Sequence, residues 1–354
     1  MGKKFPFAVV FIPIFLGILG VAMVLSTSIG WEIGKAGITI AFLKQFLFFV
    51  LSLLLYFFVS RIRPNFWKAL SVILLYLSIL ALLYTVLRGT TINSAKRWIS
   101  VAGITIQPSL FAQVFLVMYI AKERSLLKGT IAALITSLLI MLEPDISAAG
   151  VTIMTATIIL YLKGMKIKNI VLPIVAVFVI IAVYGKTKGY PLGRLKGFVD
   201  EKNTSKSSVI AVAKGRILGY GIAEGVDKFS TLPLPFSDYI FASISQEMGF
   251  IGSLTVLTLF LLYFLKGMKE MEKVTDRSGK MMGMGLLILT MTTAMIHILI
   301  CIGLFPDAGE PLPFISKGGS GLISYYFAAG VVTALANENY IDRWRNRRTH
   351  SSHY

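Results

Sequence analysis

The sequence predicts an all-α polytopic membrane protein with ten transmembrane helices and a long extracytoplasmic loop between helices 7 and 8. Of its 354 residues, 56% are hydrophobic and 15% are charged, whereas a typical soluble domain has about 25% charged residues. The mean hydropathy is +0.77, which is more apolar surface than a soluble core can bury. This composition excludes a soluble enzyme, a disordered chain and a secreted disulfide scaffold.

The apolar residues fall into runs close to the ~20 residues that cross a bilayer. The fourth, fifth and tenth runs are short or interrupted. The first is interpreted as a retained span, because it is too long for a signal peptide and lacks a small-residue cleavage site. The candidate spans are 6–28, 37–59, 66–87, 108–121, 130–142, 146–162, 168–184, 239–265, 282–304 and 319–336.

Lys and Arg in the short connecting segments predict the orientation, because cytoplasmic loops carry the excess of positive charge. With the N-terminus inside, most of these residues fall on inner segments. We therefore expect both termini in the cytoplasm, a membrane domain over 1–342 and a basic cytoplasmic tail over 343–354 that contacts membrane lipids. The net charge of +18 is then explained by topology, and nucleic-acid binding is not needed.

Cysteine and histidine usage limits metal chemistry. The single cysteine, Cys301, excludes an intrachain disulfide and a Cys-based metal cluster. Only three histidines are present, and two of them fall in the last five residues. We expect no metal site built from these residue types.

The predicted loop 185–237 is rich in Lys and Arg, including Arg194 and Lys228. Long loops are exempt from the positive-inside rule, so one interpretation is a solvated loop. The other is an electropositive surface beside the outer leaflet, which attracts an anionic lipid head group or a pyrophosphate.

Polar motifs collect at the outer ends of the spans. Lys96 and Arg97 can hold phosphate oxygens, and Trp98 beside them is typical of an interfacial anchor. Asp145 follows Glu143 and Pro144 and precedes an apolar run. It is either a helix N-cap or one of two carboxylates that bind a cation or pair with a basic loop.

Asp238 lies where the long loop enters the eighth span. A helix N-terminus favours a carboxylate, and a neighbouring apolar layer raises a carboxyl pKa and its basicity. This position suits a general base, and the alternative is an N-cap. Glu247, nine residues on, would lie ~13.5 Å along the helix on the opposite face. We expect it to face the interior with a basic partner.

Residues 309–320 contain two prolines and three glycines, which forbid a continuous helix. Irregular backbone at membrane depth is tolerated only where it is buried in protein or lines a wet cavity. The segment is therefore a re-entrant turn without a ligand or a cavity wall, and Glu310 could pair with Lys317. Lys44, in span two, must snorkel, pair or become neutral.

Taken in order, these segments resemble the SEDS family, the RodA/FtsW glycosyltransferases of bacterial cell-wall synthesis, over nearly the whole chain. The first part of the family signature is similar to A-K-R-W-I, followed by Q-P-S and then P-D. The second part is similar to G-x-G, followed by a K and by L-P. The third part is similar to D-[FY]-I-F-A with a Glu nine positions on, followed by P-L-P-F-I-S-x-G-G-S, and span two carries a basic-Gln pair. The motifs fall at 95–99, 107–109, 144–145, 219–221, Lys228, 232–233, 238–242, Glu247, 311–320 and 44–45.

The resemblance implies an enzyme that polymerises lipid II at the outer face of the bacterial cytoplasmic membrane, for elongation or division. Its catalytic aspartate falls on Asp238, and the leaving undecaprenyl pyrophosphate needs positive charge nearby. It also implies a single-span class B penicillin-binding protein transpeptidase as partner. A divalent cation, Mg²⁺ or Mn²⁺, is compatible with a pyrophosphate, although no ligand set is readable.

The site residues that follow from the motifs and the resemblance form two sets. The expected substrate-binding set is Lys96, Arg97, Trp98, Arg194, Lys228, Ser316, Lys317 and Ser320. The expected supporting set is Lys44, Asp145, Glu247 and Glu310.

The chain departs from the family pattern at several positions. Leu110 and Gln113 replace a Glu and a Lys, and Lys317 replaces a Tyr. The residues before Asp238 are also unusual. Two other functions therefore stay open: a lipid II flippase or transporter, which would place polar groups along a path through the midplane, and a scaffold that has lost activity. The concentration of polar motifs at the outer face favours catalysis there.

Overall fold

The computed structural model describes residues 6–31, 40–92, 95–101, 103–166, 168–169, 204–222, 224–225, 232 and 234–351. Among these residues the chain forms ten helices and one small sheet. The helices are α1 (Phe7–Trp31), α2 (Ile40–Arg61), α3 (Pro64–Arg88), α4 (Pro108–Lys122), α5 (Leu126–Leu142), α6 (Ile146–Leu162), α7 (Thr204–Lys214), α8 (Ile240–Glu272), α9 (Arg277–Cys301) and α10 (Gly319–Ser351).

The prediction of a mostly helical polytopic membrane protein is confirmed. Six helices, α1, α2, α3, α8, α9 and α10, have the length and apolar composition to cross a membrane, and α4, α5 and α6 are shorter apolar helices. These nine coincide with predicted spans. The seventh predicted span, 168–184, lies outside the described residues apart from 168–169. The short helix α7 falls in the predicted long loop, and α10 continues into the predicted basic tail.

The helices α9 and α10 form the centre of the bundle. Their apolar windows are 78% and 83% buried, against 28% in α2, α3 and α8. The helix α10 packs on α2, α9 and α4, while α9 also packs on α8, α4 and α6. The outer helices present large apolar side chains such as Leu54, Phe58 and Leu80 on the surface, as expected of helices that face lipid.

A small antiparallel sheet between α3 and α4 was not predicted. It consists of β1 (Thr90–Ile92), β2 (Ala95–Val101) and β3 (Ile104–Ile106), in the order β1-β2-β3. The central strand β2 pairs Ile99 with Ile106. Because successive side chains of a strand point to opposite faces, β2 turns the buried Arg97 inward between half-buried neighbours. The A-K-R-W-I motif is therefore a strand.

The helix α8 is interrupted at Gly249, which has φ 67°. The G-x-G motif of the long loop docks beside this interruption: Tyr220 N donates to Gln246 O (3.0 Å) and Gly221 N to Glu247 O (3.0 Å). An ideal Cβ on Gly219 would lie 2.1 Å from Glu247 O. Glycine is required there because two backbones approach each other closely, so this motif is structural.

Candidate active site

Three irregular segments meet around a cavity of about 330 Å³, within the usual range for ligand pockets. The first is the end of the sheet with the start of α4, the second is the turn before α8, and the third is the connection from α9 to α10. The predicted residues that line the cavity are Arg97, Trp98, Asp238, Ser316, Lys317 and Ser320. Residues far apart in the sequence thus share one polar cleft.

Asp238 lies on the cavity wall in the turn that leads into α8. The N-cap of this helix is Tyr239, so the alternative that Asp238 is the cap is wrong. The turn is fixed from the α9–α10 connection, because Ser316 Oγ donates to Ser237 O (2.8 Å) and Lys317 N donates to Phe236 O (2.9 Å). The residues just before the carboxylate are therefore held in place.

Lys317 also places its charge near this turn. Its Nζ lies 4.1 Å from the centroid of the Phe236 ring, a distance at which an ammonium group is attracted to an aromatic face. Lys317 as a whole is half-buried, and it lines the cavity. It can therefore contribute positive charge to a bound anion.

Arg97 is a buried cation with three identified contacts. Its Nη1 lies 3.2 Å from Asp145 Oδ2, its Nε donates to Glu143 O (3.2 Å), and its Nη2 donates to Pro144 O. Charge-assisted bonds of this kind are about twice as strong as neutral ones. They fasten the sheet to the α5–α6 junction and fix the guanidinium at the cavity.

Asp145 is the helix N-cap, one of the two interpretations, and it also pairs by itself with Arg97 of strand β2. Its Oδ1 accepts the N–H of Ala148 (3.3 Å) and caps α6, while its Oδ2 pairs with Arg97. Gln107 Nε2 also donates to Oδ2 (3.4 Å). The carboxylate is 1% exposed, and the cap, the amide and the guanidinium supply the polar partners that a buried carboxylate requires.

Two further carboxyl groups, Glu143 and Glu310, are buried beside this pair. Neither has a hydrogen-bond partner for its carboxyl oxygens among the described residues. Burial, followed by the negative charge of Asp145, raises the pKa of Glu143 to about 9. The same two causes raise the pKa of Glu310 well above its usual value. Glu143 therefore keeps its proton at pH 7.

The Glu310–Lys317 ion pair that the sequence left open is not formed. The carboxyl oxygens of Glu310 are unpartnered among the described residues, and Lys317 Nζ lies over Phe236. The backbone explains this separation: the Nδ1–H of His297 donates to Glu310 O (2.7 Å) and holds that residue toward α9. Spacing along the sequence could not anticipate the path of an irregular connection.

Other predicted residues lie away from the cavity. Lys96 is not among its described lining residues; its Nζ donates to Val86 O (3.1 Å) and Leu87 O (2.8 Å) and caps the end of α3. Lys44 is exposed near the start of α2. Arg194 and Lys228 lie outside the described residues.

Glu247 faces the interior, as predicted. It is 1% exposed, and Ser26 Oγ of α1 donates to its Oε2 (2.5 Å). Its identified partner is thus a hydroxyl group, whereas a basic side chain was expected.

Sequence reasoning assigned no separate role to Gln45, although it lies in a motif. Its Nε2 donates to Ser316 O (3.4 Å), and its Oε1 accepts the N–H of Gly318 (3.2 Å). This side chain therefore fixes the connection that forms one cavity wall. The signal was a polar amide in an apolar helix, which calls for a partner because an unpaired buried amide is costly.

Among the described residues, no group of three His, Cys, Asp or Glu side chains is arranged to hold a metal ion. Glu143, which keeps its proton at neutral pH, is also a poor cation ligand, because a hard divalent cation is bound by ionised carboxylates.

A multi-pass helical bundle with a carboxylate, cations and hydroxyls around one cleft is typical of a membrane enzyme. A family model described as "Cell cycle protein", for FtsW, RodA and SpoVE, matches residues 7–341. The chain therefore belongs to the FtsW/RodA/SpoVE family, the SEDS family, and the resemblance of its motifs is confirmed.

Named relatives agree with this membership. The chain is 27% identical to the "Probable peptidoglycan glycosyltransferase FtsW" of Trichlorobacter lovleyi, over 78% of each chain. It is 28% identical to the "Stage V sporulation protein E" of Bacillus subtilis, over 91% of this chain and 94% of the relative. The chain is thus a homologue of peptidoglycan glycosyltransferases, and these similar identities do not favour a division role over a sporulation role.

Solved structures share the fold. Thermus thermophilus RodA superposes with a TM-score of 0.71 and 19% identity, over 94% of this chain and 96% of that one. A chain from a peptidoglycan synthase complex that coordinates polymerization and crosslinking gives a TM-score of 0.75 and 20% identity, over 93% and 97%. The protein therefore has a RodA-like fold.

Proposed function

We propose that this protein is a peptidoglycan glycosyltransferase that polymerises lipid II at the outer face of the bacterial cytoplasmic membrane, with both termini in the cytoplasm. The observation that carries the proposal is the cleft itself, in which Asp238, Arg97 and Lys317 line one cavity. Family membership and the names of the relatives support the same chemistry.

In this proposal Asp238 is the general base. It accepts the proton of a hydroxyl group on the acceptor sugar while that oxygen attacks the anomeric carbon of the donor. The bond to undecaprenyl pyrophosphate breaks, and the electron pair leaves with the pyrophosphate. One carboxylate is enough for such a direct displacement with inversion. A base of this kind must lie within hydrogen-bond reach of the hydroxyl, and the position of Asp238 on the cavity wall allows this.

Positive charge for the leaving pyrophosphate would come from Lys317 and from the loop residues Arg194 and Lys228. Trp98, Ser316 and Ser320 line the cavity and would contact the polar part of the substrate. Mg²⁺ or Mn²⁺ would be held chiefly by the pyrophosphate, because such ions often bind substrate phosphates with few protein ligands. No step is assigned to such an ion, since the described residues offer no ligand set for it.

The partner in this proposal is a class B penicillin-binding protein with a single span, which crosslinks the new glycan. The support is the shared fold with the chain from a synthase complex, whose activities include both polymerization and crosslinking. We expect complex formation to raise the polymerisation rate.

The test is polymerisation of lipid II by the purified protein with its transpeptidase. Asp238→Asn keeps the shape of the side chain and removes its basicity, so we expect loss of polymer with unchanged folding. Glu272→Gln is the matched control, because it removes one exposed carboxylate at the far end of α8. Wild-type polymer from Asp238→Asn would refute the assignment of the base.

The same preparation separates the alternatives. A flippase would move labelled lipid II across a vesicle membrane without forming polymer, and an inactive scaffold would do neither while still binding the transpeptidase.

A further inference from the structure

Gly309 lies where the two charged groups of the cleft approach each other. An ideal Cβ built on Gly309 would be 3.5 Å from Asp238 Oδ2 and 3.8 Å from Arg97 Nη1. All three residues line the cavity. A space large enough for one non-hydrogen atom therefore lies next to both Asp238 Oδ2 and Arg97 Nη1.

This space has fixed walls. Arg97 is held by two carbonyl groups and Asp145. Asp238 follows Ser237, whose carbonyl accepts from Ser316, and it precedes Tyr239, whose hydroxyl donates to Asp307 Oδ1 (2.8 Å). Groups held in this way need little reorganisation when charge develops between them.

Neither the backbone conformation nor close packing explains why residue 309 is a glycine. Gly309 is not among the glycines with positive φ, and the nearest atom to its ideal Cβ is 3.5 Å away, an ordinary van der Waals contact. Gly219 is the contrasting case, with φ +79° and a Cβ that would lie 2.1 Å from Glu247 O. Alanine at 309 would be tolerated by the fold, and its methyl group would occupy the space beside the two charges.

We propose that Gly309 keeps open an oxygen-sized subsite beside Asp238 Oδ2 and Arg97 Nη1, and that this subsite binds the attacking hydroxyl group of the acceptor sugar. The proposal rests on the proposed function and deepens it. An oxygen slightly farther into the cavity than a Cβ would come within hydrogen-bond distance of both groups.

In the reaction at this subsite, each bond that forms is matched by one that breaks. The hydroxyl proton passes to Asp238 Oδ2, the oxygen forms its bond to the anomeric carbon, and the electron pair of the broken bond leaves with the pyrophosphate. The positive charge of Arg97 stabilises the negative charge that develops on the attacking oxygen. Arg97 is thus assigned to the acceptor, and the pyrophosphate is left to Lys317 and the loop.

The test compares Gly309→Ala with Gly321→Ala. Gly321 lines the same cavity, but its ideal Cβ would lie 3.8 Å from Pro311 Cβ and 3.9 Å from Leu110 Cδ1, away from both charges. We expect Gly309→Ala to lower the polymerisation rate about 10²-fold, the effect of displacing a reacting group by about 1 Å. Gly321→Ala should lower the rate far less than Gly309→Ala does, and both variants should keep the wild-type melting temperature.

A second readout measures binding without turnover. The wild-type protein and Gly309→Ala are titrated, without the transpeptidase and on a time scale shorter than one turnover, with lipid II and with a lipid II analogue that lacks the attacking hydroxyl. The wild type should bind lipid II about tenfold more tightly than the analogue, as expected for one hydrogen bond to charged groups. Gly309→Ala should bind the two equally.

Equal rates for Gly309→Ala and Gly321→Ala would overturn the subsite while Asp238→Asn still abolished polymer, so the proposed function would stand. If Gly309→Ala failed to fold, the wild-type titration would decide: equal affinity for lipid II and the analogue would overturn the proposal.

Discussion

Two ion pairs at opposite ends of α3 use the same local device. In each, an aspartate caps a helix and pairs with a cation from another element. Asp145 caps α6 and pairs with Arg97 at 3.2 Å, whereas Asp276 caps α9 and pairs with Lys68 at 2.6 Å. The side chains of the first pair are 7% and 1% exposed, and those of the second are 14% and 50% exposed.

The difference in burial separates their roles. The Arg97–Asp145 pair adjoins the cavity and two buried carboxyl groups, so its charges act where water is largely excluded. In the Lys68–Asp276 pair the aspartate side chain is half exposed to solvent. This pair links α3 to the α8–α9 turn. In both places, an aspartate that caps one helix and pairs with a cation thus joins that helix to another element. Only the buried example can also shape the chemistry of a site.

The largest effect expected from this comparison is that of Arg97→Ala. Removing one partner of a buried pair leaves the other charge uncompensated, which costs about 3–5 kcal/mol. We expect a clear drop in melting temperature and loss of polymerisation. Lys68→Ala should cost about 0–1 kcal/mol, because exposed pairs contribute little, and should leave the rate unchanged. Thermal unfolding in detergent and the polymerisation assay measure both; equal losses would contradict the distinction.

The next effect concerns pH. Because burial raises the pKa of Glu143 to about 9, the folded protein keeps a proton that the unfolded chain releases above its ordinary pKa of about 4.3. The stability contributed by this proton is present in acid and is lost as the pH rises toward 9. Glu143→Gln should remove this decline, so its melting temperature should exceed that of wild type most at pH 9.

The opposite end of the molecule should show the opposite sign. Burial of Asp276 raises its pKa, but hydrogen bonds from Lys68, Gly279 and Ser278 outweigh this and lower the pKa below its usual value. The stability it contributes is present above about pH 3.9 and is lost in acid. Asp276→Asn is therefore the control: it should lower the melting temperature by a nearly constant amount above about pH 4, and this difference from wild type should disappear in acid. The same slope between pH 5 and 9 in Glu143→Gln and wild type would contradict the proton assignment.

The smallest effect is expected at Lys96, which neighbours Arg97 in the sequence. Its ammonium group binds the last carbonyls of α3, an interaction of about 0.3–1 kcal/mol. Lys96→Ala should lower the melting temperature slightly and change the polymerisation rate less than about twofold. A large rise in KM for lipid II would show that Lys96 binds substrate after all.

The contrast between Lys96 and Arg97 also shows how far sequence reasoning reached. The motif placed both residues at the outer end of the spans, but it could not tell which one faces the cavity. Neighbouring side chains of a strand point to opposite faces. The strand itself was not predicted, because it lies between two apolar helical segments. Glu310 is a similar case, since the path of an irregular connection is set by contacts such as that with His297.

Hydropathy and motif order alone determined that this is a helical membrane protein of the SEDS type with Asp238 as the candidate base. Those signals are local, because a span needs only a run of apolar residues and a motif only adjacent positions. Tertiary structure decided that Asp145 both caps a helix and binds Arg97, and that Gly309 opens the space beside Asp238. These depend on connections distant in the sequence that meet at one end of the bundle, where packing fixes irregular backbone that no periodicity describes.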